Sequence, residues 1–595
     1  MAHRFGAAGI HRAAGVRGRP VLSSAPRPVA EVNPSTRLDD YGCWMISGVR
    51  FSVALRRRAV TAVAVGAVLA LAASCAGGSQ TSADGGTPRD GGTLNLAIGR
   101  EPNCLDPHQS PSAAARVVSR PIVDSLVYQD RKGAIKPWLA SRWTIAEDRK
   151  AYTFTLRDDV RFTDGAPFDA AAVVANLEHI VAPKTKSLLA ASLIASYESS
   201  RAIDAHTVEV RLSEPSSSLL DVLATPNLGM ESPATLTRSN DALCATIVGT
   251  GPFASPGGYR QQQGIEYVRN RDYAWAPAGL GHTGPARLDG IRIRVASDNS
   301  ARYGALSSGQ VDAITTLSPV NLRELRTADG FHLFSVPFPG IPYSYFPNTA
   351  SGVLADVGVR KAFRAGIDWA QIVKNVYFGV YPSARGVLTS TTLGYDRSQE
   401  SAYAYNPTEA ARLLDQAGWT GRDAKGYRTK NGARLTLRHL WSDPSIEDLA
   451  VQVQAAAKEL GIEIVEENID EGTYVDRILS ADYELADTNF ASPGPEVLKV
   501  LYGSANVPSP TRGLANNISR YASGALDKLF LQAAASESVT DRLRIYGQAQ
   551  RQLTADAAVF PIYSPLSTVA ARSGVRDVTF DIDGSPSFYD TWLTS

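Results

Sequence analysis

The residues able to do chemistry in this chain are few, and their spacing does not suit catalysis. The segment GTGPF, starting at Gly249, begins like a phosphate-cradling glycine loop, but Ala254 stands where the third glycine of GxGxxG belongs, and no GxxxxGK[ST] segment occurs. Gly249, Gly251 and Pro252 instead read as a tight turn beside a cleft or hinge. His108, His179, His206, His282, His332 and His439 show no HExxH spacing and no Cys-x-x-Cys occurs, so neither a metal nor a cofactor is expected. No GxSxG elbow marks a nucleophile, and the chain is not expected to be an enzyme. Binding chemistry is better represented. Tyr343 and Tyr345 in GIPYSYFPNT, Trp441 in HLWSDPS, and Asn489 with Phe490 in ADTNFASPGP bring aromatic faces and polar groups together after strand-like segments. A small-molecule cleft is lined in this way.

The elements that must position these residues alternate in type. Period-two apolar patterns at Leu94, Leu96 and Ile98, at Tyr152, Phe154 and Leu156, at Val208, Val210 and Leu212, and at Ile291, Ile293 and Val295 predict half-buried strands. Between such strands lie helical stripes. In NPTEAARLLDQAGW, Asn406 can cap, Pro407 takes the first helical position, and Ala410, Leu413, Leu414 and Ala417 form one apolar face before Gly418. Leu449, Val453, Ala456, Ala457 and Leu460 repeat the pattern before Gly461. Helix and strand in alternation indicate mixed α/β domains.

Composition narrows the partners. Net charge is +1 with 20% charged residues, so nothing suggests nucleic acid or an anionic membrane face as partner. Near the N-terminus, three arginines, Arg56 to Arg58, precede an apolar run from Ala59 to Ala73 and a lone Cys75, the order of an export signal. The run is shorter than the roughly 20 residues a membrane span needs. Leu71 to Cys75, LAASC, resembles a bacterial lipobox, which makes Cys75 the expected lipid attachment point. Residues 1–74 are then a leader. The first 44 residues match no standard signal, which leaves Met45 as a candidate initiator, and the arginine run lacks the rest of a twin-arginine pattern. Residues 75–92, rich in Gly, Ser and Asp, form a lipidated flexible tether. The roughly 500 residues beyond are enough for two or three domains. Cys104 and Cys244 remain, either as a disulfide of an oxidising compartment or as two separate buried thiols.

Several segments carry a family resemblance in one consistent order. They are GGTLNLAIGREPNCLDPHQS from Gly91, the stretch from Leu126 to Glu178 with PWLA, FTLR and FTDG, then VGTGPF, YVRNRDY, ALSSGQVDAI, DVGVRKAFRAGID, YNPTEAARLLDQAGW and RLRIYGQAQRQLTADAAVFPIY. In these the chain resembles the bacterial extracellular solute-binding proteins of family 5, the peptide and nickel receptors of ABC importers. The resemblance implies an α/β periplasmic-binding-protein type II fold, two lobes around a hinged cleft. The first lobe would combine residues 93–123, 249–340 and 563–595, with an extra domain inserted at 124–248, and the second lobe would span 341–562.

The same resemblance implies a receptor, expected to be a monomer, held by lipid on the outer face of the cytoplasmic membrane. It would pass a peptide or peptide-like solute to ABC permease subunits served by separate ATPase subunits. Phe490 matches an aromatic that peptide-binding relatives carry. Those relatives place an aspartate shortly afterwards to pair with the ligand's α-amino group, whereas this chain reads Ala491-Ser492-Pro493-Gly494-Pro495. An ammonium without a partner in a closed cleft costs several kcal/mol. Asp487 or Glu471 could supply the carboxylate, or else the ligand is a nickel chelate, an oligosaccharide or an opine-like solute. A ligand sensor without transport is the remaining alternative.

Overall fold

The computed structural model describes residues 86–187, 189–510, 515–536 and 538–594; Cys75, the leader and most of the tether lie outside them. Two large sheets organise the chain. The strand Thr93–Ile98 runs parallel to Gly290–Val295 on one side and to Ala313–Thr315 on the other, within an eight-stranded sheet that Phe331–Pro337 and Leu566–Arg572 complete at one edge. The alternation read in the sequence decides which face is dry, for Leu94, Leu96, Ile291 and Ile293 are all buried. A separate antiparallel sheet, Ala140–Ile145, Ala151–Leu156, Thr207–Leu212 and Tyr197–Asp204, carries the helix Ala170–Val181 on its inner face. Tyr152, Phe154, Val208 and Val210 pack beneath that helix and join the same apolar core as the first sheet.

The second lobe is built on a five-stranded sheet in the order Glu463–Asn468, Thr436–Trp441, Leu485–Ala491, Gly340–Pro347, Phe560–Tyr563. Its helices follow the predicted stripes. In Pro407–Gln416, Asn406 Oδ1 accepts from the Glu409 backbone N–H at 3.0 Å, Ala410 and Leu414 face inward, and Gly418 follows the helix at φ +87°. In Glu447–Glu459, Leu449, Val453 and Ala457 are buried.

The chain crosses between the large sheets twice, from Phe331–Pro337 into Gly340–Pro347 and back from Phe560–Tyr563 into Leu566–Arg572. The crossings lie side by side, tied where the Phe338 N–H donates to Pro565 O at 2.9 Å. Gly340 at the first crossing has φ +115°, and a Cβ there would stand 2.1 Å from the carbonyl oxygen of Phe490. Only glycine lets the two backbones approach this closely. After the second crossing the chain returns to the first lobe in two short hairpins, Val575–Arg576 with Trp592–Leu593 and Thr579–Phe580 with Pro586–Ser587.

Cys104 and Cys244 form a disulfide across 140 residues, tying the turn after the first strand to the helix Asn240–Ala245. Among the described residues no helix is long and apolar enough to cross a membrane.

Candidate solute-binding site

A short hairpin, Val127–Gln129 with Ile135–Pro137, sets out a dense run of aromatic and charged residues, and a chamber of about 830 Å³ opens beneath it. Tyr128 and Trp138 meet edge to face there, at 6.0 Å between ring centroids. Tyr273, Phe588 and Tyr589 supply further apolar wall, and Arg131 and Lys132 contribute cations. Lys136 pairs with Asp130 at 3.0 Å. The size and the mix of aromatic faces with a few placed charges are those of a small-ligand site.

Two arginines one helical turn apart fix one wall. Arg116 Nε lies 2.8 Å from Asp583 and Arg120 Nε 2.6 Å from Asp581, so the C-terminal segment is pinned to the helix Ala113–Ser119. The Arg120 guanidinium also lies over the Trp138 ring at 4.5 Å. At the chamber's inner end Asp124, only 1% exposed, accepts from Trp275 Nε1 at 2.9 Å and from the Thr250 hydroxyl at 3.0 Å. Burial raises its pKa to about 6 against the pull of Arg120 and these donors.

Beside this chamber a second cavity of about 270 Å³ lies between the lobes. Gln129, Arg131 and Ile582 face it from the first lobe, and Thr392, Tyr395 and Pro493 from the second; Arg131 borders both spaces. Next to it the lobes are joined by a buried charge cluster. Arg542 Nη1 reaches Asp221 Oδ2 at 2.7 Å and the Ser217 carbonyl at 2.5 Å, and Arg542 Nε lies 3.4 Å from Glu496. Gln129 Nε2 donates to the other Asp221 oxygen at 2.6 Å. Burial raises the pKa of Asp221, and it raises that of Glu496 to about 7. A more open bridge joins Arg100 to Asp443 at 3.5 Å.

Several of the residues picked from the sequence meet in a second cluster, inside the second lobe. The Tyr343 hydroxyl donates to the Asp487 carboxylate, whose other oxygen is 3.8 Å from His439 Nε2. His439 Nδ1 and Trp441 Nε1 both approach Glu466 Oε2, at 2.7 and 3.0 Å, and the Tyr345 ring lies 4.1 Å from the His439 ring. Tyr345 is fully buried and Trp441 4% exposed, so both are core residues of the sheet's helix-covered face. Asp487 is engaged by Tyr343, and burial raises its pKa. Asn489 is exposed, Phe490 is half-buried against the opposite face, and Glu471 opens the helix Glu471–Ser480. None of the six whose side chains are described, Tyr343, Tyr345, Trp441, Asp487, Asn489 and Phe490, borders the 830 Å³ chamber; the segment that follows Phe490 reaches the between-lobe cavity through Pro493.

Of the two places expected for the glycine turn, it lies beside the chamber and not at the crossings between the lobes. The Gly251 N–H donates to Ile122 O at 2.8 Å, and a Cβ on Gly249 would stand 2.2 Å from that same oxygen. The turn is therefore a close backbone contact within the first lobe, away from both crossings, and it presents Thr250 to Asp124 and Pro252 to the chamber. The sequence reading missed Tyr128, Trp138, Asp124 and Arg120. Tyr128 and Trp138 had a signal in the aromatic and charged run VYQDRKGAIKPW from Val127; Asp124 and Arg120 precede it and had none.

The profile of the bacterial extracellular solute-binding proteins, family 5 middle, matches residues 134–507. The probable D,D-dipeptide-binding periplasmic protein DdpA of Escherichia coli K12 is 26% identical over 505 residues, covering 82% of this chain and 91% of its own. The glutathione-binding protein GsiB of the same strain is 25% identical over 511 residues, covering 84% and 92%. Among solved structures, NikA from Brucella suis in complex with Fe(III)-EDTA superposes with a TM-score of 0.74 at 23% identity, covering 84% of this chain and all of that one. DppA from Helicobacter pylori with the peptide STSA gives 0.70 at 23% identity, covering 85% and 99%. The two-lobed architecture is thus that of the type II periplasmic binding proteins.

Proposed function

Because the chain belongs to the bacterial extracellular solute-binding proteins of family 5, we propose that it is the extracytoplasmic receptor of an ABC importer, capturing a peptide or peptide-like solute and handing it to membrane permease subunits driven by separate ATPase subunits. The observation that carries the ligand class is the chamber beneath the Val127–Pro137 hairpin. Tyr128 and Trp138 offer ring faces to side chains, Arg131 and Lys132 offer cations to a carboxylate, and Asp124 and Asp130 offer carboxylates to an ammonium. A zwitterionic solute needs both signs of charge within one apolar enclosure. DdpA and GsiB, named for a D,D-dipeptide and for glutathione, point to the same class.

Closure would turn on the paired crossings at Phe338 and Pro565 and bring Pro493 and Thr392 over the chamber's mouth. Exclusion of water then strengthens each hydrogen bond to the solute. Cys75 would hold the receptor at the membrane by lipid. A second reading, a non-peptide solute such as a metal chelate or an opine, is favoured by the Ala491-Ser492-Pro493 segment that stands in place of an amine-binding aspartate.

The test is native mass spectrometry of the gently purified protein, followed by denaturation and identification of any released molecule. Thermal shift with L-dipeptides, a D,D-dipeptide and glutathione runs in parallel. A released peptide, and a shift that Trp138→Ala reduces while the variant stays folded, is the expected result. Release of a chelate or sugar with no response to any peptide would sink the peptide reading and leave the receptor standing.

A further inference from the structure

Away from the solute chamber, four polar side chains converge in the interior of the first lobe. Asp106 and His108 come from the turn after the first strand, His179 from the helix Ala170–Val181, and Glu231 from an extended segment paired to Gly249. Asp106, His108 and Glu231 have no exposed surface, and His179 is 6% exposed. His108 Nδ1 is 3.1 Å from His179 Nδ1, and it lies 3.9 Å from both Asp106 Oδ1 and Glu231 Oε1. The ligand atoms of Asp106, His108 and Glu231 all fall within 4.8 Å of one another.

Neither Glu231 oxygen meets an N–H or O–H donor, and its polar neighbour is the Asp106 carboxyl, which can bond to it only through a shared proton. Among the described residues no lysine or arginine pairs with Asp106 or Glu231; the His108 ring lies 3.9 Å from both. Two facing buried carboxylates are costly unless a proton or a cation joins them, and burial with the Asp106 charge already pushes the Glu231 pKa well up. The surroundings are also ordered as for a ligand set. His108 Nε2 lies 2.9 Å from the Gly229 carbonyl, which fixes the proton on that nitrogen and leaves the Nδ1 lone pair facing the cluster. Asp106 Oδ1 accepts from the His108 N–H at 2.7 Å, and Oδ2 from Gln109 Nε2 at 2.7 Å. Asn176, three residues before His179 on the same helix, clasps the Glu231 backbone through two 2.8 Å hydrogen bonds. The Cys104–Cys244 disulfide anchors the chain beside Asp106, where the Leu105 N–H donates to Cys244 O at 2.9 Å.

We propose that Asp106, His108, His179 and Glu231 form a structural site for a divalent transition metal, with zinc(II) as the best-suited ion. Two imidazoles and two carboxylates give a charge of −2, which a divalent ion neutralises. With Zn–N bonds of roughly 2.0–2.1 Å, tetrahedral geometry sets ligand atoms about 3.3 Å apart, so the two histidine nitrogens are already near the required separation, each carboxylate must come about half an ångström nearer His108 Nδ1, and the trio as a whole must contract from within its 4.8 Å span. The nitrogen and oxygen donors exclude calcium and magnesium, which take oxygen sets. Full burial of three ligands leaves no open coordination position, so the ion braces the turn, the helix and the Glu231 segment and does no chemistry.

The experiment strips the purified protein with a chelator, returns zinc(II) alone, and measures metal content by mass spectrometry after desalting together with thermal stability. Wild type is expected to retain one equivalent and gain stability. Glu231→Gln should fold as well as stripped wild type or better, since it removes the unpartnered buried carboxylate, while binding zinc at least about 100-fold more weakly; His179→Ala, at the cluster's outer edge, should weaken binding similarly. No retained metal and no stabilisation of wild type overturns the proposal. Equal zinc retention by both variants does so too, since the ion then sits elsewhere, as it would in a chelate bound between the lobes.

Discussion

Replacing Arg542 with methionine tests whether the buried charge cluster is the latch of lobe closure. Arg542 and Glu496 belong to the second lobe, while Asp221 and Ser217 belong to the segment inserted after the first strand, so the 2.7 Å ion pair and the 2.5 Å hydrogen bond both span the junction. The Arg542 side chain is 3% exposed and Asp221 9%, so the pair is almost dry. Removing one partner of such a pair costs about 3–5 kcal/mol, because the remaining carboxylate is left without a cation. If the junction opens when the lobes part, water recovers that cost in the open form, and the penalty falls on the closed form alone. The closed-to-open ratio then drops by roughly 10²-fold or more, at 1.4 kcal/mol per decade. Solute affinity measured by calorimetry should fall in proportion, the urea midpoint should move little, and small-angle scattering should show a larger radius without solute. Asp221→Asn in the same chain should recover part of the loss, since it removes the stranded charge. An Arg542→Met protein with unaltered affinity and a urea midpoint lowered by the full amount would show the cluster to be static packing. No change in either quantity would refute the assigned energetics.

Two further predictions concern the first lobe. In the chain-entropy account, joining Cys104 to Cys244 across 140 residues contributes about 5 kcal/mol. Cys104→Ser with Cys244→Ser should therefore lower the urea midpoint sharply, and a reductant should do the same to wild type but not to the variant. Asp124 has a pKa raised from 3.8 to about 6, so the folded state holds its proton more tightly than the unfolded state, and the stability this confers is lost as pH rises from about 4 to about 6. A shift of that size is worth ~3 kcal/mol, and Asp124→Asn, which cannot ionise, should show a flatter stability profile across that window in urea titrations. Parallel profiles for the two proteins would remove Asp124 from the account.

What the sequence makes legible follows from how far the deciding force reaches along the chain. The strands at Leu94 to Ile98 and Tyr152 to Leu156, and the helix that Asn406 caps, are set by periodicity and by contacts within four residues, and they stand where the pattern puts them. The site is governed by contacts of much longer range. Arg120 meets Asp581 across 461 residues and Arg542 meets Asp221 across 321, and no local pattern announces either pair. Tyr345 and Trp441 look like ligand contacts because aromatic residues after strands often are; the helices packed on that face of the sheet make them core, with the Tyr345 ring packed on His439 and the Trp441 N–H donating to Glu466. The same limit hid the four-residue cluster around Glu231. Metal spacing rules work when ligands share one helix or one loop, as in HExxH. Here the ligand atoms lie 71 residues apart in one pair, and only the folding of the turn, the helix and the extended segment onto one another gives them a common centre. One signal was nonetheless local. Glu231 stands in an apolar stretch, between Leu228 and Met230 on one side and Leu236 on the other, and an acid there must find a proton, a base or a cation in the interior.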